Sequence, residues 1–223
     1  MEQGGTRRGA IVEAMIRVAG GKGYLATSVA DVATVAGASR TTFYKHFGDK
    51  QECFLAAYDL AVEGILAATE TTCEDGRRWR DRARSGLAAV VDLLAADPAM
   101  ARVAIVEVSA AGVEARRRHW ATTDRFARLL EPDRPPQRRE LPPNTALMAV
   151  SAVAGLIFDE LREGGEANLP RILPELEFAL LVPYLGPRTA AEAFATAVPL
   201  LSRRGAGGRQ AGAPDRAATR SRR

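Results

Sequence analysis

Between Arg40 and Lys50 the chain carries a compact set of small, polar and basic side chains. Wound as a helix at about 100° per residue, Arg40 to Phe47 turns Phe43 and Phe47 to one side and Thr41, Thr42 and Lys45 to the other. Tyr44 and His46 flank that second side. Threonine hydroxyls can bond base edges and their methyls can touch thymine. Tyr44, His46 and Lys45 are placed to reach phosphates. Lys50 opens the next helix, where a cation opposes the helix dipole. A nearby phosphate accounts for it, because exposed amides at a helix start also attract anions. The chemistry indicated is the grasp of a nucleic-acid backbone and the reading of its bases.

Such a face needs helices to hold it. From Arg7, apolar residues recur at Ile11, Met15 and Val18, a helical period. Met1 to Gly5 is expected to be disordered, and Gly20, Gly21 and Gly23 to end the helix. Thr27 or Ser28 caps a second helix, with Val29, Val32, Ala33 and Ala36 inward. Gly37 makes the turn and Ser39 caps the third helix. Residues 28–50 thus read as a helix-turn-helix.

The remainder also reads as helices. A long fourth runs from Lys50 to about Thr72, and a fifth starts in the arginine-rich RRWRDRAR and stops near Asp97. Asp97-Pro98 restarts the chain, an N-cap followed by proline at the first helical position. A short sixth and a seventh to about Leu130 follow. Glu131 to Pro143, with five prolines, is expected to be a solvent loop. Asn144 is expected to cap an eighth helix, apolar over most of its circumference and rich in small residues, which needs more than one neighbour to cover it. Pro170 and Pro174 begin a ninth. Thr189 to Leu201 reads as a last helical segment.

Composition narrows the function. Of the 223 residues 47% are hydrophobic and 26% charged, a globular balance. Strand-like alternation is absent, so the expected class is all-α. The tail from Ser202 holds seven arginines and one aspartate, while the other residues hold 24 basic and 26 acidic ones. The overall net charge of +4 therefore describes the tail rather than the body. All three lysines, Lys22, Lys45 and Lys50, lie in the first 50 residues, which suits a phosphate-facing surface there. No apolar run approaches the roughly 20 residues needed to span a bilayer, and no signal region precedes the body; a cytoplasmic location is expected. Cys53 and Cys73 are expected to be reduced, structural thiols. There is no phosphate loop, metal-ligand spacing or Gly-x-Ser-x-Gly turn, and only two histidines occur, His46 and His119. No catalytic residue, metal or cofactor is expected.

Over Thr27 to Lys50, TSVADVATVAGASRTTFYKHFGDK, the chain resembles the TetR-type family of bacterial transcriptional regulators. The shared pattern is a Thr-Ser helix cap, an Ala-Gly-x-Ser turn, a Tyr-x-His-Phe end to the recognition helix and a lysine opening the next. The resemblance is carried by residues 7 to 60; beyond 70 only helix count and order are similar. It implies an all-α homodimer of about nine to ten helices per chain. The helix-turn-helix domain would be residues 1–50, with its motif at about 29–48. The effector-binding and dimerisation domain would be 51–201, followed by a disordered basic tail at 202–223. It implies DNA contacts from Thr27, Ser28, Ser39, Arg40, Thr41, Thr42, Tyr44, Lys45, His46 and Lys50. It implies a dimer interface over about 144–164 and 174–185, a roughly palindromic double-stranded DNA operator and a small-molecule effector. Candidate lining residues for the effector are Glu107, Trp120, Phe126, Met148, Ser151 and Phe158. The expected function is a repressor released by its effector. An activator using the same reader, or a ligand-binding protein that retains the DNA module, remains the alternative.

Overall fold

The computed structural model describes residues 2–73, 78–130 and 141–192, with side chains described for 7–71, 78–130 and 141–192. No strand occurs among them. Nine α-helices are described: α1 (Glu2–Lys22), α2 (Val29–Val35), α3 (Arg40–Tyr44), α4 (Lys50–Cys73), α5 (Trp79–Ala96), α6 (Pro98–Ile105), α7 (Val113–Leu130), α8 (Thr145–Arg162) and α9 (Leu169–Leu185). Short 3-10 turns over Glu107–Ala110 and Glu166–Asn168 precede α7 and α9. The backbone is helical again over residues 187–192. The rest of the segment to Leu201, the expected loop over 131–140 and the basic tail at 202–223 lie outside the described residues, as does the Cys73 side chain.

Expectations about the ends of three helices need correcting. Helix α1 begins at Glu2, ahead of Arg7, and runs through Gly20 and Gly21. Gly20 is a packing residue: a Cβ there would lie 2.3 Å from the Ala99 carbonyl oxygen, so only glycine lets α1 and α6 approach. The chain turns at Gly23, whose φ of 88° is the left-handed conformation glycine adopts without strain. Asn144 makes no side-chain cap; the entry to α8 is tied instead by the Thr145 hydroxyl, which donates to the Pro142 carbonyl at 2.7 Å. Pro174 lies inside α9, buried, rather than at its start. Asp97 does cap α6, accepting the Met100 N–H at 3.0 Å.

One apolar core runs through these helices. Ile11, Met15, Phe43, Phe47 and Phe54 form its N-terminal end, and Leu94, Val153, Leu161, Leu176 and Tyr184 continue it. Helix α4 belongs to both ends: it lies against α1 and against α5, and Cys53, Phe54, Val62, Ile65 and Leu66 are its contribution to the core. Helices α8 and α9 lie against each other, and α5 and α7 flank them. Among the described residues no helix is long and apolar enough to cross a membrane.

Candidate nucleic-acid interface and interior cavity

The first three helices are built from reciprocal caps. The Ser28 hydroxyl accepts the Asp31 N–H at 3.2 Å, while the Asp31 carboxylate accepts the Ser28 N–H at 2.8 Å and the Ser28 O–H at 2.6 Å. This capping box satisfies donors that the helix itself leaves open. Lys22 donates to the same carboxylate at 2.7 Å. The bonds from Lys22 and then Ser28 hold the Asp31 carboxyl well below the usual carboxylate range. Gly37 makes the turn at φ 61°. Ser39 then caps α3, its hydroxyl accepting the Thr42 N–H at 3.0 Å and lying 2.9 Å from the Thr42 hydroxyl.

Phe43 and Phe47 are buried, with ring centroids 5.7 Å apart. Arg8 covers the Phe47 ring at 4.8 Å. Helix α3 proper stops at Tyr44, and a tight turn through Lys45 and His46 carries the chain on to Phe47. On this anchor Arg40, Thr41, Tyr44 and Lys45 are exposed, and Thr42 and His46 are half-buried. Ser28 and Ser39 are exposed too, but their hydroxyls are engaged in the caps.

Two residues of the candidate DNA set are placed differently from expectation. Thr27 is buried, and its hydroxyl donates to the Gly23 carbonyl at 2.8 Å. It braces the loop before α2 and presents no side chain to an outside ligand; Ser28 is the cap. The Lys50 ammonium donates to the carbonyls of Tyr24, at 3.0 Å, and Thr27, at 2.9 Å, and sits 4.2 Å above the Tyr24 ring. The carbonyls and the ring answer the misfit of a lysine at a helix start from within the protein. Lys50 is thereby a clamp between α4 and the reader loop.

A second clamp joins the reader to the rest. Glu107 is buried, and its carboxylate accepts the Tyr24 N–H at 2.8 Å and pairs with Arg102 at 3.0 Å. Arg102 also donates to the Leu161 carbonyl at 2.8 Å, near the end of α8. Gln51 adds a bond to the Ala111 carbonyl at 3.0 Å. Glu107 thus holds the joint and does not line a cavity, contrary to its assignment from sequence.

The interior cavity has a volume of about 550 Å³ and lies among α4, α5, α6, α7, α8 and α9. Its wall is mostly aliphatic, including Val62, Ile65, Leu87, Leu94, Val153 and Ile157. Of the six residues expected to line it, only Phe126 does. Trp120, Met148 and Ser151 are exposed on the outer faces of α7 and α8, and Phe158 is half-buried but outside the wall. Helix α7 lines the cavity with His119, Thr122, Thr123 and Phe126, and near its end with Arg128, Leu129 and Leu130. The four from His119 to Phe126 recur at the spacing of one helical face, so the period of α7 carried the signal, and Trp120 is one step of about 100° off that face. Burial pushes the His119 imidazole below its ordinary pKa, and its Nδ1 is buried without a protein partner. Nearby, burial raises the Tyr58 phenol to about 12; its O–H donates to the Thr122 hydroxyl at 3.0 Å.

Helix α8 leaves a stripe of Met148, Ser151, Ala152, Gly155 and Leu156 exposed, although three of the five are apolar side chains. Met148 is 56% and Leu156 41% exposed. A Cβ added at Gly155 would meet nothing within 4 Å.

The site thus comprises an exposed polar helix on an aromatic anchor, joined to a helical body with an apolar cavity. Residues 11–57 match the family model described as bacterial regulatory proteins, tetR family. The chain has the fold of the fatty acid degradation regulator FadR from Bacillus halodurans, at 16% identity, 78% coverage of this chain and 94% of that one, and a TM-score of 0.68. It likewise resembles SmeT, the repressor of the Stenotrophomonas maltophilia multidrug efflux pump SmeDEF, at 21% identity, with 79% and 89% coverage and a TM-score of 0.64. A third is the transcriptional regulator FadR from Bacillus subtilis in complex with stearoyl-CoA, at 15% identity, with 79% and 97% coverage and a TM-score of 0.56. At these identities the likeness is one of fold. No curated protein matches the chain significantly by sequence. Residues 11–57 thus match the reader segment of that family, and the helical chain around it shares the fold of these regulators.

Proposed function

We propose that this chain is a sequence-specific transcriptional repressor that binds a roughly palindromic operator as a homodimer and leaves it when a small molecule enters the cavity. The observation that carries the reading is α3 and the turn after it, which expose Arg40, Thr41, Tyr44 and Lys45 above the buried Phe43–Phe47 pair. In this assignment Arg40, Thr41, Thr42 and Lys45 face bases or backbone, and Tyr44 and His46 face phosphates. Ser28 and Ser39 position α2 and α3 through their caps, and Lys50 positions the loop rather than touching DNA. Residues 1–50 act as the reader and 51–201 as the effector and dimer domain, in the cytoplasm.

The stripe on α8 supports a homodimer, since small residues let a partner helix pack closely and the contiguous apolar side chains otherwise face water. Helices α8 and α9 of each protomer would form the four-helix interface over about 144–164 and 174–185. Two recognition helices would then enter successive major grooves, about one helical turn apart. The cavity supports effector control, as does the repressor role of SmeT and the acyl-CoA ligand of the Bacillus subtilis protein. Release requires that the effector favour one dimer state over the other.

The test is operator selection from random duplexes, then affinity measured against salt for Tyr44→Ala and Lys45→Ala. Both variants should bind more weakly, and loss of one phosphate contact should lower the slope of log affinity against log salt by about 1. Wild-type affinity and slope in both variants would refute the interface.

A further inference from the structure

The cavity is polarised along its length. Helix α7 lines it from His119 to Leu130, a rise of about 16 Å. The outer end, at Leu130, also holds Trp79 and Arg82 of α5 and Glu70 of α4. The inner end lies toward α6, at Ala104 and Ile105. The charged side chains in the wall are Glu70, Arg82 and Arg128, all at the outer end, where a carboxylate accompanies the two guanidiniums and Arg128 is ion-paired with Asp124. The inner half has none among the described residues.

What the inner half has is an unanswered polar atom. His119 Nδ1 is buried with no hydrogen-bond partner in the protein. One turn further along α7 the Thr122 hydroxyl accepts from Tyr58, which leaves its own proton to donate. Thr123 turns its hydroxyl back to the His119 carbonyl at 3.0 Å and is occupied. A buried polar atom without a partner carries a free-energy cost that a ligand group can remove. A neutral imidazole nitrogen accepts or donates according to tautomer, and a hydroxyl meets either need. An ionised group has no such welcome, since burying a charge without a counter-ion is far more costly than burying an alcohol.

We propose that the effector is an uncharged, elongated, largely apolar alcohol whose hydroxyl lies at the inner end of the cavity, between His119 Nδ1 and Thr122. This rests on the reading of the cavity as the effector site. It sets the chain apart from a regulator that senses an acid through a cationic interior. The placement also suits signalling: the hydroxyl would lie against α6, whose Arg102, with Glu107 just beyond the helix end, ties the reader to α8.

The experiment uses the full-length protein and two probes of equal chain length, decan-1-ol and sodium decanoate, at neutral pH. Binding is followed by calorimetry and by fluorescence of Trp79, which lines the cavity. Decan-1-ol should bind at least about tenfold more tightly than decanoate. His119→Leu should lose up to about tenfold in decan-1-ol affinity, the range expected for one net hydrogen bond, with decanoate binding little changed. Thr122→Val should show the same selective loss and serves if His119→Leu lowers the melting temperature. Decanoate binding as tightly as the alcohol, failure of both probes to bind, or unchanged decan-1-ol affinity in both variants would overturn the proposal. Release of operator DNA is measured separately: tight decan-1-ol binding that leaves the DNA complex intact would support the ligand class and sink the effector-release reading instead.

Discussion

Replacing Glu107 by alanine removes the acceptor that joins three parts of the molecule. Its carboxylate takes the Tyr24 N–H at 2.8 Å and the Arg102 guanidinium at 3.0 Å, in a site where Glu107 itself is 8% exposed. Hydrogen bonds to a charged group contribute about 1.5–3 kcal/mol each, and breaking a fully buried pair costs about 3–5 kcal/mol. The Arg102 side chain is 25% exposed and keeps its bond to the Leu161 carbonyl, so water can take up part of its charge. The Tyr24 amide has no such relief. The expected loss is therefore about 3 kcal/mol, at the lower end of that buried-pair range. Glu107→Gln keeps the volume and one acceptor oxygen but turns an NH2 group toward one of the two donors, and should lose about 1–2 kcal/mol. Urea unfolding at one fixed protomer concentration measures both, with the concentration held constant because association of subunits adds to apparent stability. Operator affinity should fall along with stability in the alanine variant, since the loop that ends at Thr27 starts at this joint. An alanine variant within about 0.5 kcal/mol of the parent, the range of ordinary surface substitutions, would refute the clamp.

Further outcomes follow from the same geometry. Gly20→Ala should lower stability by about 1–3 kcal/mol, because its Cβ would lie 2.3 Å from the Ala99 carbonyl oxygen; an unchanged melting temperature would show that α1 and α6 part without cost. Cys53 is fully buried and its thiol is raised to about 12 by that burial, so iodoacetamide at neutral pH should leave it unmodified in the native protein and alkylate it in urea, as read by peptide mass spectrometry. His119 is held below its ordinary value of 6.5 by burial, so the unfolded chain binds the proton first. Its contribution is complete above 6.5 and is lost as pH falls from there toward the folded value; His119→Leu should flatten the fall in urea midpoint over that window, and an identical pH profile in the variant would count against it.

Much of the reader was legible because its determinants are local. The caps at Ser28, Ser39 and Asp97 and the aromatic pair Phe43 and Phe47 depend on neighbours a few residues away. Helical period and glycine position therefore located them. Even there, Gly20 read as a helix stop when it is a contact, because its reason is Ala99, far along the chain. Thr27 and Lys50 read as DNA-facing for the same cause: their partners are the carbonyls of Gly23, Tyr24 and Thr27, and backbone oxygens leave no trace in side-chain type.

The cavity shows where local reading stops. Aromatic and methionine side chains suggested Trp120 and Met148, yet a side chain lines a cavity through the direction its helix faces, and the packing of α7 and α8 sets that direction. His119, Thr122, Thr123 and Phe126 share a face that the period of α7 displays, but only the neighbours decide whether such a face meets a cavity, the core or water. The amino-acid sequence thus determined the helical class, the helix-turn-helix and its polar face, since these follow from interactions within a few turns. The tertiary structure decided which residue closes the joint, which lysine is committed to backbone carbonyls and which histidine buries a ring nitrogen without a protein partner. Those depend on atoms such as Glu107 and Tyr24, brought to 2.8 Å across 83 positions of chain, and no local pattern records that approach.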